Sequence, residues 1–288
     1  VAVIGMYTNS KGDSIEFSKE SGIRITSWDG LTSNSADIDE TTTINQIGST
    51  VTGVGIKSKP QTIEGRYRYD KDKRYQLLAI ILPGDKGQLR YINTIEGLDV
   101  CWDVTVKESP EISNGVEYQN FQFVVQCGYP YPRDTDNQFL EFSPTVSNFS
   151  FPRSYSSTVS WKISSKQFQP LRQIRNLGTI ETGFKITMTA DDNDIKGPYV
   201  INVDTQEEIK LTNLELVLGD KLVISTYAND SYCRLYRDGE EINVFEYTTF
   251  ESVFFLLNVG INNIRYGADI NESNLDARIE YDTIRAGV

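Results

Sequence analysis

Across residues 199–288 the chain alternates apolar and polar residues with a period of two. It does so in short bursts: Tyr199-Val200-Ile201-Asn202-Val203, Leu214-Glu215-Leu216-Val217-Leu218 and Lys221-Leu222-Val223-Ile224-Ser225, closing on Leu256-Leu257-Asn258-Val259-Gly260-Ile261-Asn262-Asn263-Ile264-Arg265-Tyr266. Neighbouring side chains of an extended strand point to opposite faces, so this pattern gathers its apolar groups on one side only if the backbone is extended. Gly219-Asp220, Asp238-Gly239 and Val259-Gly260 interrupt it where turns are needed. The stretch therefore predicts short antiparallel strands half buried against one another in a sandwich. Nothing in it looks like reaction chemistry.

A chain of 288 residues is long enough to bury about 70–75% of its unfolded surface without covalent staples. Its three cysteines, Cys101, Cys127 and Cys233, are odd in number and widely spaced. That argues against a disulfide framework and a zinc cluster, and predicts reduced, mostly buried thiols. Histidine is absent, which excludes Ser-His-Asp and Cys-His hydrolases, His-ligated metals and the commonest general base near neutral pH. The formal net charge of −12, with a pI near 4.6, repels phosphate backbones and anionic lipid. Val1-Ala2-Val3-Ile4-Gly5-Met6 is too short for a secretory core, and no run of about 20 apolar residues predicts a membrane span.

Residues 1–133 read as a first β-rich unit, with strands expected near 3–7, 14–17, 23–28, 51–56, 61–69, 76–82, 88–96, 99–107 and 119–127. Asn9-Ser10-Lys11-Gly12-Asp13 is a turn between the first two. The run from Tyr75 to Leu82 also suits a short helix entered through Asp70-Lys71-Asp72-Lys73, and periodicity does not decide between the two. Tyr129-Pro130-Tyr131-Pro132 closes the unit, because prolines two apart do not fit a central strand. A polar stretch, 134–157, reads as a linker, and 158–288 as a second β-unit. There Phe184, Ile186 and Met188 are expected to face inward, and Asp238-Gly239 to turn a hairpin.

The acidic cluster Ala190-Asp191-Asp192-Asn193-Asp194 invites a calcium reading, but it lacks the glycine and the final Glu of an EF-hand loop, so a solvated turn is preferred. Asp134-Thr135-Asp136-Asn137 carries the same two readings. Two carboxylates could hydrolyse a glycosidic bond, yet with 40 acidic residues a possible pair says little. No Gly-x-Ser-x-Gly elbow occurs, and Val51-Thr52-Gly53-Val54-Gly55-Ile56-Lys57-Ser58 lacks phosphate-loop spacing and reads as strand and bulge. No catalytic, cofactor-binding or metal-binding residue is assigned. Trp161, Tyr129 and Tyr131 are the candidates for glycan or partner contact, against the alternative of ordinary packing.

Several segments, in order along the chain, resemble the phage distal tail protein family. They are Asn9-Ser10-Lys11-Gly12-Asp13-Ser14-Ile15-Glu16-Phe17, Gly30-Leu31, Ile63-Glu64-Gly65, Arg74 through Leu77-Leu78 and Leu82-Pro83, and Gly87-Gln88-Leu89-Arg90-Tyr91. Tyr118-Gln119-Asn120-Phe121-Gln122-Phe123 with Tyr129-Pro130-Tyr131-Pro132 follows, then Asn258 through Tyr266 and the ending Ile279-Glu280-Tyr281 through Gly287-Val288. Residues 41–52 and 137–166 align to nothing specific.

The resemblance implies an all-β structural protein of a siphovirus-type tail, neither enzyme nor cofactor carrier. Its N-terminal β-domain would form a hexameric ring with copies of itself on the tail-tube protein. Its C-terminal galectin-like β-sandwich would hold receptor-binding or baseplate proteins, and its last strand would return to the first domain. The family's setting further implies a tail-associated lysin or fibre hub as neighbour, DNA passing through the lumen without specific binding, no membrane insertion, and a place at the virion tail tip after assembly in the bacterial cytoplasm. Two rival readings stand beside it: a carbohydrate-binding sandwich that recognises cell-surface glycan, and a carboxylate-only glycoside hydrolase.

Overall fold

The computed structural model describes residues 3–143, 145–147, 164–166, 168–192 and 194–288; Trp161 lies outside them. The chain divides into two compact units, Val1–Thr135 with Ile284–Val288, and Asp136–Thr283.

The first unit contains β1 (Val3–Asn9), β2 (Ser14–Phe17), β3 (Ile23–Asp29), β4 (Ala36–Thr41), β5 (Thr50–Ile56), β6 (Lys59–Arg68), α1 (Lys71–Ile80), β7 (Lys86–Asn93), β8 (Leu98–Ile112), β9 (Tyr118–Cys127) and β10 (Arg133–Asp134). Its main sheet runs β2-β1-β7-β8-β9-β6-β3, with β10 beside β8. The two edge strands, β2 and β3, are consecutive in sequence, so the sheet curls back on itself. Gly5 of β1 marks where it does: a Cβ there would lie 2.6 Å from Ile25 and 3.0 Å from Trp28 of β3. The turn that joins the edges is tied by Ser18 and Ser21, each hydroxyl accepting from the other's N–H at 3.0 and 3.1 Å. Tyr7, Phe17, Ile63, Tyr67, Leu89, Trp102, Phe121 and Phe123 fill the interior.

The β1–β2 turn forms as its sequence predicts. Asn9 Oδ1 accepts from the N–H groups of Lys11 and Asp13 at 3.0 and 2.8 Å, and Gly12 takes φ 89°. The run from Gln76 to Leu82 is not the expected strand; its helical alternative is what forms. Asp70 caps α1, its carboxylate accepting from Asp72 N–H at 2.9 Å, a bond that satisfies one of the helix's free donors. The burial of Leu77, Ile80 and Ile81 beside exposed Leu78 and Leu82 follows the i, i+3, i+4 spacing of a helix face. Pro83 then stops it.

The second unit contains β11 (Gln138–Glu141), β12 (Thr145–Ser147), β13 (Ser164–Lys166), β14 (Leu171–Asn176), β15 (Phe184–Ala190), β16 (Ile195–Asn202), β17 (Glu208–Lys210), β18 (Glu215–Leu216), β19 (Lys221–Tyr227), β20 (Asp230–Arg237), β21 (Glu240–Asn243), β22 (Gly260–Ile270) and β23 (Leu275–Tyr281). One sheet runs β11-β23-β15-β19-β20-β21; the other runs β14-β22-β16-β17, with β18 beside β16. Within the 134–157 stretch, Asp134 thus ends β10, and β11 pairs with β23 from Gln138↔Tyr281 to Glu141↔Arg278. The two sheets share one core. Phe184, Ile186, Met188, Ile224 and Ile279 come from the first, and Val200, Ile209, Ile264 and Tyr266 from the second. Phe184, Ile186 and Met188 are fully buried, as their alternation predicts. Asp238 and Gly239 turn the β20–β21 hairpin with φ of 52° and 84°, the left-handed pair that a two-residue turn requires.

Candidate interaction surfaces

The first unit carries an exposed two-stranded ribbon. β4 and β5 pair with each other, and among the described residues with no other strand. Every residue of the two is exposed except Gly53, which is half-buried. Their register sets Ala36 opposite Ile56 and Ile38 opposite Val54, while Asp37 faces Gly55 and Asp39 faces Gly53. Up to the bulge after Asp39, alternation therefore makes one face apolar and the other acidic. Ile44 and Ile47 stand at the tip, fully in solvent, at 94% and 103% exposure. A lone two-stranded hairpin is marginal in water and gains stability when its apolar face is covered.

A second surface of this unit is the seam where the curled sheet meets itself. A groove of about 560 Å³ runs there, lined by Val3, Phe17, Arg24, Ile25 and Trp28, beside the unpaired sides of two edge strands.

Tyr129 and Tyr131 are brought together, their rings meeting edge to face at 5.6 Å. Pro130 and Pro132 are buried, and Trp102 Nε1 donates to Pro130 O at 3.2 Å. Lys59 sits 5.8 Å over the Trp102 ring, and burial pulls its ammonium below the usual range. The segment is thus anchored from inside, with Tyr129 41% exposed.

The carboxylates with defined partners act as counter-ions. Arg90 grips Asp99, with Thr135 adding a bond at 2.7 Å. Arg237 holds the buried Asp220 at 2.5 Å, and Lys210 meets Asp269 at 2.6 Å. Where a carboxyl is displaced from its ordinary pKa among the described residues, it moves down: Asp99 through its bond from Arg90, Asp204 through those from Asn263. A glycosidase acid needs the opposite shift. The Asp191-Asp192 cluster lies in the β15–β16 turn, and among the described residues no three His, Cys, Asp or Glu side chains converge as metal ligands. Asp134, read from sequence as a solvated or cation-binding turn, instead pairs with Arg285. All three cysteines are buried thiols, and among the described residues no helix is long and apolar enough to cross a membrane.

In the second unit the strand β21 is exposed along its length and forms a sheet edge. Beyond it Phe245 and Phe254 stack at 5.5 Å, and Phe250 is fully exposed. No local pattern singles these phenylalanines out; their signal is three phenylalanine rings, with Tyr247 among them, in a stretch that follows a two-residue hairpin and does not alternate.

Residues 177–283 match the family described as siphovirus-type tail component, C-terminal domain. No curated protein sequence matches the chain. In fold the chain is similar to the SPP1 Dit (gp 19.1) protein, described as a paradigm of hub adsorption apparatus in phages that infect Gram-positive bacteria. That likeness has a TM-score of 0.65 at 8% identity and covers 97% of this chain and 98% of that one. Chains of the phage P2 baseplate in its activated conformation, with Ca and with Sr, give TM-scores of 0.50 and 0.51 at 12% identity, each over 97% of this chain and 98% of the other. The resemblance carried by the short segments is borne out by these matches.

Proposed function

We propose that this chain is a distal tail protein: the structural hub of a phage or phage-like tail, built into the virion at the tail tip. The observation that carries this reading is the fold likeness to a hub protein over 97% of this chain and 98% of that one, spanning both units in order. The first unit would form a hexameric ring on the tail-tube protein. The second would hold receptor-binding or baseplate proteins, with a lysin or fibre hub below.

The β4–β5 ribbon supports self-assembly, because its apolar face needs a cover and an adjacent copy in a closing head-to-tail ring provides one. The partners of its charges also support a structural role: Arg90, Arg237 and Lys210 neutralise carboxylates that would otherwise be free to react. An acidic chain of net charge −12 suits a DNA conduit, since a lumen of like charge does not retain the duplex. The reading is non-enzymatic and uses no cofactor.

Negative-stain electron microscopy at several concentrations, paired with light scattering for mass, tests it. A sixfold ring, single or stacked in pairs, is expected. A chain that remains monomeric at every concentration and also on purified tail tubes would overturn it.

A further inference from the structure

Residues 238–254 read Asp-Gly-Glu-Glu-Ile-Asn-Val-Phe-Glu-Tyr-Thr-Thr-Phe-Glu-Ser-Val-Phe, with five carboxylates, three phenylalanines and no lysine or arginine. They begin with β21, the outermost strand of the six-stranded sheet. Val244 N–H donates to Cys233 O at 3.1 Å. Hydrogen-bonding direction alternates along an antiparallel strand, so Ile242 faces β20 as Val244 does, while Glu241 and Asn243 turn their N–H and C=O groups outward. Among the described residues no strand takes that outward side. Phe245, two residues past the strand, stacks on Phe254, which rests on the sandwich core, and Phe250 and Val253 are exposed.

Free strand edges invite pairing, and proteins commonly blunt them with charge. Here the charge has one sign. The two cations on the neighbouring strand are already paired, Arg234 with Glu241 at 2.8 Å and Arg237 with Asp220 at 2.5 Å. A second copy would bring the same five carboxylates to the contact, so this edge repels its own kind and favours a basic strand.

We propose that β21 is a strand-addition site for an extended, basic segment of a partner protein. The segment's backbone pairs with Glu241 and Asn243, its cations meet Glu240, Glu246 and Glu251, and its apolar side chains cover Phe245 and Phe250. This deepens the reading of the second unit as the side that holds adsorption proteins, and rests on it.

The probe is a fluorescent nine-residue peptide alternating lysine and valine, compared by anisotropy on the full chain with a peptide of equal charge carrying two central prolines. The alternating peptide is expected to bind at least tenfold more tightly. Glu241→Pro and Asn243→Pro, which each remove one outward N–H and no main-chain bond to β20, should abolish that preference. Glu241→Ala should keep it, and Phe245→Ser should weaken binding at least threefold. Equal binding of the two peptides, or a preference that survives both proline variants, overturns the proposal. Light scattering on the same samples, repeated with purified tail tubes, separates the two levels: a ring without the peptide preference sinks this site alone, whereas absence of the ring both in the unaltered chain alone and on the tubes sinks the reading beneath it.

Discussion

Arg285 reaches back 151 positions to hold both carboxylate oxygens of Asp134, Nε to Oδ1 at 2.5 Å and Nη2 to Oδ2 at 2.9 Å. Around this fork the last residues of the chain are stitched into the first unit. Arg285 N–H donates to Pro132 O at 3.0 Å, Asn34 Nδ2 donates to Ala286 O at 2.6 Å, and Ile284 bridges Arg133. The chain thus leaves the first unit near Thr135 and returns to it at Ile284, so both ends of the second unit are tethered there.

The first prediction tests that tether. Arg285→Ala and Asp134→Ala should each lower the stability of the first unit by ~1 kcal/mol, the usual scale for a bidentate pair that is partly open to solvent. A double-mutant cycle should show coupling of similar size that shrinks in high salt. Removal of residues 284–288 should cost more than either substitution, because it also removes the main-chain bonds. Denaturant melts of the four variants provide the measurement.

A second prediction concerns close approach inside the curled sheet. Gly65 of β6 is buried, and a Cβ there would lie 2.4 Å from the Phe121 ring and 2.6 Å from Arg24 O. The carbonyl cannot move without breaking the β3–β6 ladder, so Gly65→Ala should destabilise by about 1–3 kcal/mol, the range of overpacked cores. Gly55→Ala in the ribbon, where nothing lies within 4 Å, should leave thermal stability unchanged. Parallel melting curves of the two variants make the comparison.

What the sequence disclosed follows from how far each signal reaches. Period-two alternation is local, so Phe184, Ile186 and Met188 could be oriented from their own neighbours, and Asp238-Gly239 specified its turn without outside help. The run from Gln76 to Leu82 was ambiguous because six consecutive apolar residues satisfy both periods. Only the surrounding sheet decides that Leu77, Ile80 and Ile81 go inward. The β4 strand escaped notice for the opposite reason: Ala36-Asp37-Ile38-Asp39 does alternate, but with two carboxylates and no bulky partner nearby it looks like a polar loop. The Arg285–Asp134 pair lies beyond any local reading, since nothing in a window of 20 residues links positions 151 apart. The surface phenylalanines belong to the same class, because an exposed ring and a core ring are the same letter.

The third prediction is an alkaline limit. Burial pushes the Cys127 thiol up to about 11 and Cys233 to about 12, from an ordinary 9.0, and it raises the Tyr7 phenol to about 12. These groups are neutral in the folded chain and ionise sooner once it unfolds. Their contribution is therefore fully present below pH 9 and is lost as pH rises through 11 to 12. By pH 10 each thiol should cost about 1 kcal/mol, from the conversion of one pKa unit to ~1.4 kcal/mol. Melting temperature should be flat from pH 7 to 8.5 and fall beyond it, and Cys233→Ala should shallow the fall. The same burial should make all three cysteines resist alkylation until the chain is unfolded.

The ribbon yields the last prediction, because it separates assembly from folding. Ile38 and Val54 face each other across β4 and β5 and are 52% and 66% exposed, so within one copy they contribute little to the core. Replacing both by serine should leave the thermal melt of the isolated chain within about 0.5 kcal/mol, as for surface positions generally. Covering them in a ring would bury two aliphatic side chains per copy, worth about 1.5–3 kcal/mol each when fully buried. That loss recurs at every interface of a closed ring, so the double variant should fail to assemble at concentrations where the unaltered chain is fully ringed. Changing Asp37 and Asp39 to asparagine on the opposite face should leave assembly intact if only the apolar face is covered. Sedimentation of the two variants side by side decides the matter: equal loss of assembly in both would mean that the acidic face is also part of the contact, and retained assembly in the serine variant would remove the ribbon from the interface.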